Sequence, residues 1–308
     1  MDNYSKVKNV FESDVKDKAI SIYEYEDHIF NNNRVYRVDT KEKSYIFKSY
    51  KSADYPENGK INFVSNKLSE NNVPHARILV NNYNSDFPNG YIIEDSLPGI
   101  TAEKLDLTIK ETCLLYEKLA KLILKIHSIK LINYGFIVNC EPDSKSFTKH
   151  INKEFIYGKH NIADAYSYYE LRKLKSTLIS ELSPLNDIQP CLCHMDIQLK
   201  NVIVYNENLT LIDWDDARSF PAVTDLARFT LLIELAFDDE NPEDPERIKL
   251  FKQAFLDSYY SDGGIDLYLK FEALLHLWHG LVILNFCNPG TPQFFKTKKI
   301  VDEKIKLL

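Results

Sequence analysis

An excess of positive charge is missing from this sequence. Its 308 residues include 38 lysines and arginines against 45 aspartates and glutamates, which gives a formal net charge of −7. Because a general nucleic-acid binder is usually basic, this balance excludes that class, and we expect no nucleic-acid partner. The charge is compatible with a cationic partner, but an acidic surface is also an ordinary way to stay soluble, and we favour that interpretation.

Paired cysteines and long apolar runs are also missing. Cys191-Leu192-Cys193 lacks the usual zinc spacing and a second pair, so we expect reduced, buried thiols. The N-terminus has no basic start followed by an apolar run, and no stretch approaches about eighteen uncharged apolar residues. We therefore expect a cytoplasmic protein with no signal peptide and no membrane partner, whose oligomeric state the sequence leaves open. The five cysteines are Cys113, Cys140, Cys191, Cys193 and Cys287.

The first part of the chain is predicted to be rich in strands, with one helix. That helix runs from about residue 56 to residue 70, because Asp54 and Pro56 are start signals and Ile61, Val64 and Leu68 recur at helical spacing. The turn at residues 40–43 joins two of the strands as a hairpin. The predicted strands are residues 21–25, 34–39, 44–50, 77–80 and 91–94.

Helices dominate the chain after the break at Pro98-Gly99. A compact β-hairpin region is predicted from about residue 189 to residue 213. A strand-rich first part, a short break and a helical second part indicate an α+β protein with two lobes. The predicted helices are residues 109–129, 163–182, 225–236, 245–260 and 265–286.

The predicted hairpin gathers polar side chains at one end. Val202–Tyr205 and residues 209–212 are two β runs, and residues 206–208 form the turn between them. Asn201 precedes the first strand and Asp213 follows the second, so pairing is expected to place them side by side, roughly 5 Å apart at Cα. Asp196 lies one loop upstream. Carboxylate and carboxamide oxygens are ligands suited to Mg²⁺.

This segment resembles the catalytic core of aminoglycoside phosphotransferases, and choline kinases and protein kinases share its plan. The resemblance is carried by His194, Asp196 and Asn201, by the hairpin, by Ile212-Asp213-Trp214-Asp215, and by the Asp225-Leu226-Ala227 run that follows. It implies a two-lobed, protein-kinase-like α+β fold with a small β-rich N-lobe and a larger helical C-lobe. Residues 1–97 would be the nucleotide-binding lobe ending in the hinge, and residues 98–308 would carry the catalytic loop and the substrate site.

The resemblance also implies roles for individual residues. Asp196 would be the catalytic base that orients the acceptor hydroxyl, and Asn201 and Asp213 would bind Mg²⁺. His194 would support the loop rather than react. Asp225 is expected to cap a helix that begins at Leu226, since aspartate before an apolar helix is an ordinary N-cap.

Nucleotide-binding residues are expected in the first lobe. Lys48 and Ile46 lie on one face of their strand. By resemblance, Lys48 would contact phosphate and Ile46 would lie against the purine of ATP or GTP, although a solvated strand lysine is the alternative for Lys48. The segment from residue 91 to Gly99 resembles the hinge, so the main chain near Asp95 and Leu97 would bond the purine edge.

Two features depart from the family pattern. Residues 26–36 stand where a glycine-rich phosphate loop would be, and they supply asparagines instead. The glutamate that pairs with the family's lysine is also unclear, because its expected place holds Asn62, while Glu57 lies one turn earlier on the inward stripe. The partner of Lys48 stays open between these two.

The acceptor is expected to be a small molecule, cationic and most similar to an aminoglycoside. The acidic run at residues 234–246 would either bind it or face water. An aromatic cage for a quaternary amine is possible from the later helices, although helix-spaced aromatics are more often core. The aromatic residues are Tyr259, Tyr260, His276, Trp278 and His279. The alternatives are a kinase for choline, ethanolamine or a sugar, and a degenerate kinase-like protein that binds nucleotides or is structural.

Overall fold

Apolar residues at alternate positions build a five-stranded antiparallel sheet between residues 21 and 95. The computed structural model describes residues 2–25, 33–157, 162–236 and 244–308. The sheet has the spatial order β1–β2–β3–β5–β4, and Tyr45 and Phe47 of β3 lie in its buried face. Its strands are β1 (Ser21–Glu24), β2 (Asn33–Asp39), β3 (Ser44–Tyr50), β4 (Ile78–Asn82) and β5 (Tyr91–Asp95).

A helix that was not predicted covers this buried face. Helix α1 (Asn3–Val15) begins after Asp2, whose carboxylate accepts a hydrogen bond from the Ser5 amide at 2.7 Å. Its buried residues Val7 and Phe11 join the core that Tyr45 and Phe47 form. Few apolar residues mark this helix in the sequence, and packing against the sheet is what stabilises such a helix.

Helix α2 (Lys60–Glu70) is shorter than predicted. The expected start near Pro56 is wrong, because Gly59 has a φ of 77°, a left-handed conformation that a helix does not continue through. A β-carbon on Gly59 would lie 2.9 Å from the Cys140 sulfur. Glu57 therefore lies outside the helix, and its expected place on the inward stripe is wrong.

The hairpin of β10 (Val202–Tyr205) and β11 (Asn208–Leu211) is present, with β6 (Ile100–Thr101) beside it. Its turn has two residues rather than three. Asn206 and Glu207 both have positive φ, 45° and 67°, as a type I′ turn requires. The register pairs Val202 with Leu211, so Asn201 lies opposite Ile212, whose amide donates to the Asn201 carbonyl at 3.0 Å. The expected side-by-side pairing of Asn201 with Asp213 is off by one residue.

Contacts divide the chain into two compact units that interleave in sequence. One contains Met1–Glu103, Ile137–Glu141 and Lys200–Asp216, and the other contains Lys104–Phe136, Pro142–Leu199 and Ala217–Leu308. The functional division at residue 97 stays a prediction. The strands of the second part of the chain are β7 (Tyr134–Val138), β8 (Glu141–Ser144), β9 (Cys191–Cys193) and β12 (Arg218–Phe220), in the order β8–β7–β12–β9.

The second unit is mainly helical. Helices α4 (Phe147–Tyr157) and α9 (Pro292–Ile305) and strands β7, β8 and β12 were not predicted, and the helix expected from residue 163 begins at Tyr168. Helix α3 packs against α7, and α8 packs against α6 and α9. The helices are α3 (Ile109–His127), α4 (Phe147–Tyr157), α5 (Tyr168–Glu181), α6 (Ala222–Ala236), α7 (Pro245–Tyr259), α8 (Asp266–Phe286) and α9 (Pro292–Ile305).

Helix α8 lies in the core of this unit. Among the described residues it is the one helix long and apolar enough, by length and composition, to cross a membrane, and 56% of its most apolar window is buried inside the protein. The core helix of a globular protein passes the same test. Trp278 of α8 is fully buried and makes edge-to-face contacts with Phe147 and Phe220, at ring-centroid distances of 5.3 and 5.8 Å.

Candidate active site

Lys48 lies between two carboxylates. Strand β3 alternates, so Tyr45 and Phe47 enter the core while Ile46 and Lys48 share the opposite face. The Lys48 ammonium donates to Asp213 Oδ1 at 2.7 Å and to Asp215 Oδ2 at 3.0 Å. Burial opposes its charge, but the two carboxylates prevail and raise the pKa of Lys48 well above its ordinary value. Lys48 is therefore a buried, charged residue rather than a solvated strand lysine.

The two carboxylates differ in exposure. The Asp213 side chain is 41% exposed, whereas that of Asp215 is 4% exposed. Asp215 Oδ2 also accepts from Asn33 Nδ2 at 2.6 Å, while its Oδ1 has no partner among the described residues. Burial raises the pKa of Asp215 to about 6, against the opposing effect of Lys48. Asp213 has a φ of 64°, which turns the chain between the hairpin and Asp215.

Neither expected partner of Lys48 reaches it. Glu57 forms an ion pair with Lys60, and Asn62 Oδ1 accepts from Asn81 Nδ2 at 3.1 Å. Lys60 is 1% exposed and donates to the Asp215 carbonyl at 2.8 Å, so the first turn of α2 supports the segment that carries Asp215. The partner role falls to Asp213 and Asp215 instead.

Some groups of the expected purine-binding segment already form bonds within the protein. The Asp95 amide donates to the Arg77 carbonyl at 3.0 Å, and its carboxylate pairs with Lys43 at 2.6 Å. The Asp95 amide is therefore not available to a purine. The main chain of Leu97 bonds to no other described residue. Ile46 is half-buried on the face that carries Lys48.

Glu94 is a third acidic neighbour of Lys48, and no pattern in the sequence indicated it. It lies opposite Ile46 in the sheet register, on the face that carries Lys48. Burial raises the pKa of Glu94 to about 7, and Lys48 opposes this shift. Glu94 and Lys48 both line a cavity of about 30 Å³ against α2.

Asp225 hydrogen-bonds to the main chain of the predicted catalytic loop. The amides of His194 and Met195 both donate to its carboxylate at 2.8 Å. His194 is fully buried, and its Nδ1 accepts from the Asp196 amide at 3.2 Å, which fits a loop-supporting role. The Asp196 carboxylate accepts from the Gln198 side chain, and Asp196 is half-buried.

Asp225 is not the N-cap that the sequence suggested. Helix α6 begins at Ala222, so Asp225 lies in the first turn rather than before it. It also pairs with His127 Nε2 at 3.1 Å. Burial opposes the charge of Asp225, but the bonds from His127 and His194 outweigh it and lower its pKa. The expected link between this aspartate and the catalytic loop is present, through a different geometry.

A comparison with known protein families identifies the family of this chain. The model of the family described as "Phosphotransferase enzyme family" matches residues 31–261, which include every predicted site residue. The chain belongs to the phosphotransferase enzyme family. No curated protein matches the sequence closely enough to count as a relative.

Solved structures share the fold of this phosphotransferase. An ethanolamine kinase from Plasmodium vivax has a TM-score of 0.67 at 18% identity, covering 98% of this chain and 87% of that one. The choline kinase LicA from Streptococcus pneumoniae has a TM-score of 0.67 at 17% identity, covering 99% of each chain. A spectinomycin phosphotransferase solved with ADP and spectinomycin has a TM-score of 0.55 at 16% identity, covering 97% and 93%. The expected α+β protein-kinase-like fold is confirmed.

The acidic run of this phosphotransferase is only partly described. Glu234 bonds to Lys252 at 2.6 Å, and Asp244 caps α7 by accepting from the Arg247 amide at 2.9 Å. Residues 237–243 lie outside the described residues, as do residues 26–32 of the expected phosphate loop. Glu234 and Asp244 thus have structural partners.

The aromatic residues of the later helices are core. Tyr259 is 8% exposed, and three of the others are at most 1% exposed. The favoured core interpretation is confirmed for these four: Tyr259, His276, Trp278 and His279. The expectation of buried thiols holds for Cys191, Cys193 and Cys287, whereas Cys140 is exposed and Cys113 is half-buried.

Several residues of the site escaped the sequence analysis. Asp215 carried a usable signal, because it lies two residues after Asp213 in an acidic turn. Asn33, Lys60 and His127 carried none, since each meets its partner through contacts distant in sequence.

Proposed function

We propose that this phosphotransferase is a small-molecule kinase that transfers the γ-phosphoryl group of ATP or GTP to a hydroxyl of a small cationic acceptor. Residues 1–97 would bind the nucleotide, and residues 98–308 would carry the catalytic loop and the acceptor site. The observation that carries the proposal is the buried Lys48 ammonium bonded to Asp213 and Asp215.

Lys48 is suited to a phosphate-binding role because its charge is fixed. Two carboxylates hold it on the sheet face away from the core, and one of them, Asp213, is partly exposed. Burying charged groups costs several kcal/mol each, so a role in binding explains this buried lysine better than a gain in stability does. The half-buried Ile46 of β3 and the unbonded main chain of Leu97, which follows β5, support a purine site there.

The oxygen donors fit Mg²⁺. Asp213 is exposed enough to bind an ion, and Asp215 Oδ1 is a buried carboxylate oxygen without a partner among the described residues. Asn201 lies opposite Ile212, the residue before Asp213. Asn201 and Asp213 would hold the ion, which neutralises phosphate charge when bound. Lys48 would add a second positive group, and Asp213 would be shared between them.

Asp196 is the proposed catalytic base. Asp225 fixes the main chain at His194 and Met195, immediately before Asp196, so the position of this carboxylate is set by buried hydrogen bonds. It would accept the acceptor's hydroxyl proton and aim its oxygen at the γ-phosphorus.

Two classes of acceptor are proposed. The first is an aminoglycoside, as for the spectinomycin phosphotransferase, and the second is an amino alcohol, as for the choline and ethanolamine kinases. Both carry a positive charge and a hydroxyl. A cationic acceptor should bind less tightly as salt rises, because ionic strength screens exposed charges over about 8–10 Å.

The test is a phosphotransfer screen of the purified protein with ATP and with GTP, with and without Mg²⁺, against aminoglycosides, choline, ethanolamine and neutral sugars. We expect Mg²⁺-dependent turnover with a cationic acceptor, and Asp213→Ala should abolish turnover and weaken Mg²⁺-nucleotide binding. Asp262→Ala, at an exposed position, is the matched control.

Three outcomes would count against the proposal. Unchanged magnesium dependence in Asp213→Ala would remove that residue from the metal site. A neutral sugar as the best substrate would remove the cationic acceptor. Tight nucleotide binding without turnover on any acceptor would favour a degenerate kinase-like protein.

A further inference from the structure

Two thiols and an imidazole converge in the core of the second unit, and none of the three has a role in the proposed reaction. Cys191 and Cys193 lie two residues apart on β9, so both side chains point to the same face of the strand. His127 is the last residue of α3. One ligand atom from each of these three residues lies within 4.8 Å of the others. All three side chains are at most 1% exposed.

The spacing suits a tetrahedral metal ion. The two sulfur atoms are 3.8 Å apart. With Zn–S bonds of about 2.3 Å and Zn–N bonds of about 2.0 Å at tetrahedral angles, two sulfur ligands should be roughly 3.8 Å apart and a sulfur and a nitrogen roughly 3.6 Å apart. The sulfur pair therefore already has the separation of two zinc ligands, and the imidazole needs to approach by about 1.2 Å at most.

The surroundings of His127 are those of a metal-binding histidine. Its Nε2 faces the Asp225 carboxylate at 3.1 Å, which fixes the ring and leaves Nδ1 as the coordinating atom. Nδ1 lies 2.8 Å from the Tyr259 hydroxyl oxygen and shares a hydrogen bond with it. The phenol oxygen of Tyr259 thus lies next to Nδ1 and is the candidate for a fourth ligand. Besides each other, both thiols contact the Phe220 carbonyl, at 3.4 and 3.5 Å, through weak bonds that a metal would replace.

A second cluster of possible metal ligands is already neutralised by a lysine. Glu234, Glu272 and His276 also come within 4.8 Å of one another. Lys252 lies among them and bonds to Glu234 at 2.6 Å and to Glu272 at 3.1 Å, so a protein cation already neutralises that set. No described cation bonds to the thiols of Cys191 and Cys193.

We propose that His127, Cys191 and Cys193, with Tyr259 as the fourth ligand, bind a structural zinc ion. The ion would join the end of α3 to β9 directly before the catalytic loop, and the thiols and the phenol would release their protons on binding. Two thiolates and an imidazole favour zinc over magnesium or calcium, which take oxygen ligands. The site is closed to solvent, so the metal would enter as the chain folds. This inference does not depend on the proposed kinase activity.

The first experiment measures metal in the full-length protein. The chain is expressed in zinc-supplemented medium, purified under reducing conditions, passed through EDTA and desalted, and its metals are then quantified. We expect about one zinc per chain. The unfolded chain refolded in Co²⁺ should gain the thiolate-to-cobalt absorption, which an oxygen-ligated magnesium site cannot produce.

Variants assign the site. Cys191→Ser and Cys193→Ser should each lose the zinc and the cobalt absorption, whereas Cys287→Ser, another buried thiol outside the cluster, should keep both. Zinc far below one equivalent together with no thiolate absorption in the wild-type chain would overturn the proposal, whether or not the variants fold. Zinc retained in both serine variants would overturn it as well, because the ion would then lie elsewhere.

Discussion

Replacing Lys48 with methionine removes the cation that lies between Asp213 and Asp215 while keeping most of the side-chain volume. The lysine side chain is 9% exposed and that of Asp215 is 4% exposed, so Asp215 becomes an uncompensated buried charge. Breaking a buried ion pair in this way costs about 3–5 kcal/mol. Asp213 is 41% exposed and adds little, because solvent screens it. We expect a loss of about 3 kcal/mol in the free energy of unfolding near pH 8.

The loss should depend on pH in a direction set by Asp215. Its folded pKa is about 6 against an ordinary value of 3.8, and Lys48 holds it down from a still higher value. In Lys48→Met the folded carboxyl therefore keeps its proton to higher pH, while the unfolded carboxyl does not. Since the folded state then binds more protons, stability falls as pH rises through this window, and more steeply in the variant than in the wild type. The difference should be small at pH 5 and full at pH 8.

The assay is urea unfolding followed by tryptophan fluorescence at both pH values, for the wild type, Lys48→Met, Asp215→Asn and the double variant. The double variant should recover much of the stability lost in Lys48→Met, because no buried charge is left unpaired. Lys41→Met, at an exposed turn position, is the matched control. An equal loss at pH 5 and pH 8, or a double variant no more stable than Lys48→Met, would refute the reasoning.

Three further outcomes are expected. Asp196→Asn should lower kcat by about 10²–10⁴-fold with little change in nucleotide Kd, measured on one preparation, and near-normal turnover would remove it as the base. Glu94→Gln should stabilise the protein by no more than about 3 kcal/mol at pH 8.5 and hardly at pH 5. The reason is that folding raises the pKa of Glu94 from 4.5 to about 7, so its ionisation opposes folding above about pH 5. A gain in stability that does not depend on pH would contradict this. Asp225→Asn should cost about 3 kcal/mol in urea unfolding, since the carboxylate accepts from two loop amides and pairs with His127, and a loss no greater than that of exposed Asp262→Asn would exclude this role.

The sequence was sufficient for features that local chemistry controls. Strand β3 was predicted with its exact bounds, because alternation along Ser44–Tyr50 requires only that one face be buried. The β10–β11 hairpin and the α+β order followed from period-two runs and turn residues in the same way. The family pattern at Asp196, Asn201 and Asp213 was readable because these residues lie close together in the chain.

Tertiary structure decided the partners. Glu57 and Asn62 were the local candidates for Lys48, yet Asp215 is its buried partner, because the fold brings β3 to a turn that lies far away in sequence. The turn of the hairpin has one residue fewer than predicted, so the cross-strand partner of Asn201 is Ile212 rather than Asp213. The register depends on the positive φ of Asn206 and Glu207 and not on the length of the apolar runs. The sequence suggested that Asp225 caps a helix, but in the fold its carboxylate accepts hydrogen bonds from two loop amides and pairs with His127. Cys191-Leu192-Cys193 lacked a zinc pattern for the same reason: its third ligand, on α3, adjoins it only in the folded chain.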